Sequence, residues 1–176
     1  MHKQVVCLSH LLVVGRCFYI SLFLLLVAAR SPGQLAVQTP AKTLPSFRFT
    51  THDHYIFANA DLPKDRLVLF VFFDPDCEHC QHALRTMDQR PGSYRHAAVY
   101  LVSMASWDKI DLFMATYAPK LAVQKNVTLL MDESSQFITQ FKPVRYPSLY
   151  LYSTEQKLLD LEDNEGALFR IEKYTR

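Results

Sequence analysis

The chain has 176 residues, a size that ordinarily holds one domain. Its 19 Lys and Arg against 17 Asp and Glu leave a formal net charge of +2, too balanced for a nucleic-acid binder that works through a basic face. With 49% hydrophobic residues, 20% charged residues and only 4 Gly, the composition excludes a disordered, collagenous or low-complexity chain.

The charge is unevenly laid out. The first 52 residues carry no Asp or Glu, and Lys3, Arg16 and Arg30 punctuate an apolar stretch. Its densest part, Phe18 to Ala29, is 12 residues long. A bilayer span needs ~20 apolar residues. A basic start, a short apolar run, then small residues with Pro32-Gly33 predict a secretory signal cleaved after Ala29 or Ala36. The wider window from Val5 to Ala29 is long enough for a retained membrane anchor, although His10 and Arg16 interrupt it. Both readings stay open, and both imply export. Residues 1–36 are therefore expected to be a signal peptide or N-terminal membrane anchor plus the start of a linker, and 37–176 one domain. Within these, 31–44 reads as linker.

Short strands are expected at Phe47–Phe49 and Tyr55–Phe57, both as edge strands, with His52-Asp53-His54 at the turn between them. Leu67–Phe73 (LVLFVFF) is continuously apolar and bounded by polar residues, the pattern of a central strand buried on both faces. Asp74-Pro75-Asp76 breaks it. From Cys77 the pattern turns helical: Cys80, Ala83, Leu84 and Met87 recur on one face, and Pro91-Gly92 ends the helix. Ala97–Met104 reads as a second strand. Ser106 is placed to cap the next helix, where Trp107 packs at the start and Ile110, Phe113, Met114, Tyr117 and Leu121 form one face. Val127–Met131 reads as a strand, followed by a helix carrying Phe137, Ile138 and Phe141. Ser148–Tyr152 and Lys157–Leu161 suit an antiparallel hairpin. A final amphipathic segment holds Leu168, Phe169 and Ile171. This order predicts an α/β fold in which parallel neighbours come first and an antiparallel hairpin closes one edge.

There are 4 cysteines, of which Cys7 and Cys17 lie in the leader. An exported protein meets an oxidising compartment, so the remaining pair, Cys77 and Cys80, is expected to form disulfides. A loop with two intervening residues gains little closure entropy, so this pair is a poor staple. A domain of roughly 140 residues buries enough apolar surface to fold without one. Chemistry explains the pair better than stability does. Cys77 falls where a buried strand gives way to a helix, and unpaired backbone N–H groups and the helix dipole favour negative charge there. Cys80, three residues on, lies beneath it. Cys77 is thus the expected nucleophile and Cys80 the thiol that resolves the mixed disulfide. The cycle runs in either direction.

At this point the sequence resembles the thioredoxin superfamily, specifically the exported TlpA/ResA-like thiol:disulfide oxidoreductases of bacteria. The resemblance rests on LPSF at Leu44 to Phe47, LFVFFDPDCEHC around the cysteines, VTLLMDES from Val127, and RYPSLYL from Arg145 to Leu151. It covers roughly residues 44–163. It implies a thioredoxin-like fold: a mixed central sheet flanked by helices, with a short N-terminal strand extension. It also implies that the Tyr146–Pro147 bond is cis and lies beside Cys77, leaving the Tyr146 backbone to pair with an extended substrate segment. His79 stands where oxidising members often carry His, and when protonated it would stabilise a Cys77 thiolate. Asp76 and Glu78, with Asp74, oppose it. Cys77 and Cys80 are then the catalytic pair, His79, Glu78 and Asp76 modulate it, and Tyr146 and Pro147 hold substrate. No metal or bound cofactor is required beyond the redox-active disulfide. The implied partners are protein thiols or disulfides and a membrane reductant relay, with no nucleic acid, for a monomer in or facing the periplasm.

The sequence departs from the family in three places. Asp76 replaces the Trp that often precedes the first cysteine. Val71 stands where thioredoxin has its buried Asp, and Ala83 where ResA-like proteins have Glu. No proton acceptor for Cys80 is therefore evident; Glu78 or a water is a substitute. Two other functions compete. One is a copper site made by Cys77, Cys80 and a remote His52 or His54; the adjacent set Cys77, His79, Cys80 and His82 points in divergent directions and cannot converge on one ion. The other is a non-catalytic binding module that keeps the motif as a vestige.

Overall fold

The structure is a computed structural model that describes residues 41–162 and 168–175. The expected leader, its cysteines Cys7 and Cys17, and both cleavage sites lie outside the described residues.

Seven strands form one sheet in the order β2-β1-β5-β4-β3-β6-β7. They are β1 (Arg48–Thr50), β2 (Ile56–Ala58), β3 (Leu67–Phe72), β4 (Ala97–Ser103), β5 (Val127–Met131), β6 (Ser148–Tyr152) and β7 (Leu158–Glu162). The helices are α1 (Glu78–Gln89), α2 (Trp107–Tyr117), α3 (Pro119–Ala122) and α4 (Leu168–Thr175). β3 pairs parallel with β4, and β4 with β5, while β6 lies antiparallel on the other side of β3. The apolar run at Leu67 is thus central, as its composition predicts, and β6–β7 is the antiparallel hairpin.

Side chains of a strand alternate between faces, and β3 divides accordingly. Leu69, Val71 and Phe73 enter one core with α1, α2 and α4. Val68, Phe70 and Phe72 enter a second, aromatic core with β1 and the segment after β5.

Several local expectations need correction. β1 is not an edge strand: Thr50 pairs with Met131 of β5, and β2 alone takes that edge. The end of the expected linker is pinned to the sheet, because Leu158 N–H donates to the Lys42 carbonyl and Leu44 N–H to the Gln156 carbonyl, each at 2.9 Å. The single apolar helix expected from Ile110 to Leu121 is two helices. Pro119 has no N–H to continue the ladder and pushes Ala118 out of the helical region, to φ −144° and ψ 48°. Ser106 does occupy the N-cap of α2, but its side chain makes no capping bond; its carbonyl accepts the Ile110 N–H at 3.0 Å. The helix expected around Phe141 is a single π-helical turn, Phe137–Phe141, with Ile138 exposed. The buried Asp132 carboxylate organises it, accepting the N–H groups of Gln136 at 2.9 Å and Phe137 at 2.7 Å.

Candidate active site

The register of the sheet brings the site together. Phe72 of β3 lies opposite Ser148 of β6. The residues just past β3 therefore run alongside those just before β6, and Asp74 meets Tyr146 in one groove. The Tyr146–Pro147 bond is cis. The Tyr146 ring packs on Phe72, with centroids 4.9 Å apart.

The loop between β3 and α1 is locally determined. Asp74 Oδ1 accepts the Asp76 N–H at 2.9 Å, and the Asp74 carbonyl accepts the Cys77 N–H at 3.1 Å. An Asp followed by Pro is suited to this turn. Cys77 then sits at the N-cap itself, one residue before the first helical turn where the sequence placed it. It has φ −93° and ψ 118°, is half-buried, and its carbonyl accepts the Gln81 N–H at 3.1 Å.

Cys80 faces inward and is 0% exposed. Neither thiol is in a disulfide. Burial pushes the Cys80 thiol far above its ordinary range. A hydrogen bond with Cys77 and the charges of Cys77 and Asp74 push the same way, and the Asp74 N–H, which donates to Cys80 Sγ at 3.5 Å, opposes them. The arrangement is an accessible sulfur over a sealed one.

Around the pair, Glu78 and His79 are exposed on the first turn of α1. Asp76 is exposed and paired with Lys109 Nζ of α2 at 2.6 Å. Lys109 is 33 positions away from Asp76 and carries no sequence signal for this contact. Burial raises the Tyr146 hydroxyl above its ordinary range, and negative charge at Asp74 and the cysteines adds to it. A groove of about 390 Å³ is lined by Asp74, Asp76, Ser103, Met104, Lys109 and Tyr146 among others. Met104, on the loop after β4, was not singled out in the sequence as a site residue, and Ser106 only as a helix cap. Val71 and Ala83 are buried and apolar, so neither family position supplies a carboxyl.

The structure does not bring the histidines proposed for copper to the cysteines. His52 Nε2 contacts Asp111 Oδ2 at 3.1 Å and its ring lies 4.8 Å from that of Trp107. Among the described residues, no group of three or more His, Cys, Asp or Glu side chains is gathered as a metal-ligand set.

The family described as AhpC/TSA matches residues 40–160. The chain belongs to the AhpC/TSA family. No curated protein sequence matches it. Three solved structures show its fold. One is the thioredoxin domain of a thiol-disulfide oxidoreductase from Bacteroides vulgatus, at 15% identity and TM-score 0.63, covering 79% of this chain and 99% of that one. The second is a putative thiol:disulfide interchange protein DsbE from Chlorobium tepidum, at 17% identity and TM-score 0.60, covering 75% and 94%. The third is a secreted disulfide oxidoreductase of Mycobacterium tuberculosis, at 18% identity and TM-score 0.58, covering 72% and 94%. The fold is thioredoxin-like, as the sequence resemblance implied.

Proposed function

We propose that this protein is a thiol:disulfide oxidoreductase that exchanges disulfides with protein thiols outside the cytoplasm. The observation that carries the reading is the half-buried Cys77 at the N-cap of α1 with the sealed Cys80 hydrogen-bonded beneath it. Cys77 attacks a substrate disulfide and is held as a mixed disulfide; Cys80 attacks Cys77 Sγ, closes the Cys77–Cys80 disulfide and releases the reduced substrate. The reverse sequence oxidises a client. The electrons come from or go to protein thiols, a membrane reductant relay among them, so no bound cofactor enters.

His79, Glu78 and Asp76 tune the charge at Cys77. Asp76 does so from its pairing with Lys109, so a client that displaces Lys109 changes that charge. The Tyr146 backbone and Pro147 present a strand-like edge to an extended client segment. Export is supported by the acid-free leader and basic punctuation of residues 1–52, and by the secreted M. tuberculosis relative. Among the described residues no helix is long and apolar enough to cross a membrane.

The test is capture. A Cys80→Ser variant expressed in cells should accumulate mixed disulfides with client proteins, all mapping to Cys77. Capture mapping elsewhere, or none, overturns the proposal.

A further inference from the structure

Resolution by Cys80 needs a base. A thiol is a poor nucleophile until it loses its proton, and this one is fully buried and held well above its usual range. Val71 and Ala83 cannot serve. Four carboxylates lie in the neighbourhood. Both oxygens of Asp132 are engaged by backbone N–H groups. Glu78 is exposed on the outer side of the helix start. Asp76 is exposed and bound to Lys109.

Asp74 differs from all three. It is half-buried, and its own N–H touches Cys80 Sγ at 3.5 Å. Its carboxylate is oriented by the bond from the Asp76 N–H at 2.9 Å and borders the groove that opens beside Tyr146 and Ser103. Cys80, Tyr146 and Lys109 are titratable groups that feel its charge.

We propose, resting on the exchange reading above, that Asp74 accepts the Cys80 proton during resolution and returns it to water through the groove lined by Asp74, Ser103 and Tyr146. The Cys80 S–H bond breaks and its proton moves to the Asp74 carboxylate, directly or through one water. The Cys80 thiolate attacks Cys77 Sγ, the Cys77–substrate S–S bond breaks, and the Cys77–Cys80 bond forms. The dithiol is oxidised by two electrons and the substrate leaves as a thiolate, which takes a proton from solvent. Ionised Asp74 disfavours a second negative charge at Cys80, and transfer of the proton removes that repulsion at the moment the thiolate forms.

The reaction of the reduced protein with dithiobis(nitrobenzoate), a chromogenic aryl disulfide, separates the two steps. Attack by Cys77 releases one equivalent of coloured thiol and resolution by Cys80 releases the second. Asp74→Asn keeps the backbone N–H and a side-chain oxygen for the Asp76 N–H. It should not slow the first release, which also reports an intact fold. It should slow the second by roughly a hundredfold at neutral pH. The deficit should shrink as pH rises and hydroxide replaces the base. Asp74→Glu should recover most of the rate. A second release at the wild-type rate in Asp74→Asn overturns the assignment, and so does a deficit that is the same at every pH. A wild-type protein that gives no second release overturns the exchange reading, and this assignment with it.

Discussion

The two faces of the sheet are built from different materials, and only one carries the thiols. On the first, aliphatic side chains such as Leu69, Val71, Leu84, Leu101 and Met114 pack with the helices, and Cys80 is buried among them. On the second, rings dominate: Phe47, Phe49, Phe70, Phe72, Phe137 and Phe141 with Tyr100, Tyr150 and Tyr152. The aliphatic face accepts helices whose apolar stripe includes a small residue at the thiol position. The aromatic face needs no long helix. Flat rings bury much area each, so a three-residue strand and one π turn close it, with Phe137 and Phe141 stacked 4.1 Å apart. Tyr146 packs against both cores, so the proposed client edge sits where the two faces meet.

The largest test of this contrast is a pair of truncations. Phe70 meets the rings of Phe47, Tyr100, Phe137, Phe141 and Tyr152. Phe70→Ala should lower the unfolding free energy in urea by about 3–5 kcal/mol. Leu84→Ala, on the other face, should cost about 2–5 kcal/mol and also loosen α1, so that Cys80 reacts faster with an alkylating agent. If Phe70→Ala exposes Cys80 as much as Leu84→Ala does, the two faces are not independent.

Next in size, Asp132→Ala strips two buried backbone N–H groups of their acceptor and should cost roughly 1–3 kcal/mol. It should release Phe137 and Phe141 without altering thiol reactivity, read by near-ultraviolet circular dichroism beside alkylation.

Alkali should attack both faces. Burial pushes the Tyr100 hydroxyl from 10.0 up to about 12. The folded state therefore holds that proton longer than the unfolded chain does. This contribution is complete below pH 10.0 and is lost as pH rises to about 12. The Cys80 thiol, raised from 9.0, acts with the same sign from a lower starting pH. Tyr100→Phe should reduce the higher-pH part of the loss, to which the buried Tyr152 also contributes, and Cys80→Ala should remove the lower part. The smallest effect belongs to the exposed Asp76–Lys109 pair: Lys109→Ala should change stability by less than ~1 kcal/mol.

Some of this was legible in the sequence and some was not, for physical reasons. β3 announces itself because a strand buried on both faces must be apolar throughout. The CEHC segment could be placed at a strand-to-helix turn because the break at Asp74-Pro75-Asp76 is local. Asp88 was missed: a charged residue in a helix reads as solvated, yet it is buried and accepts the Leu121 N–H at 2.8 Å, tying α1 to α3. The π turn read as an α-helix because Phe137 and Phe141 keep helical spacing whichever turn they close. Lys109 and the closeness of Asp74 to Cys80 depend on tertiary approach, which periodicity does not encode.

The central claim is that Cys77 and Cys80 form one redox unit. Its direct test is to equilibrate the purified protein with graded glutathione and dithiothreitol buffers, alkylate the free thiols, and read each cysteine by mass spectrometry. Both should lose their free thiol together in a single two-electron transition, and Cys77→Ser should abolish it. Cysteines that oxidise separately, each to its own glutathione adduct, or that stay free across the whole range, would contradict the account.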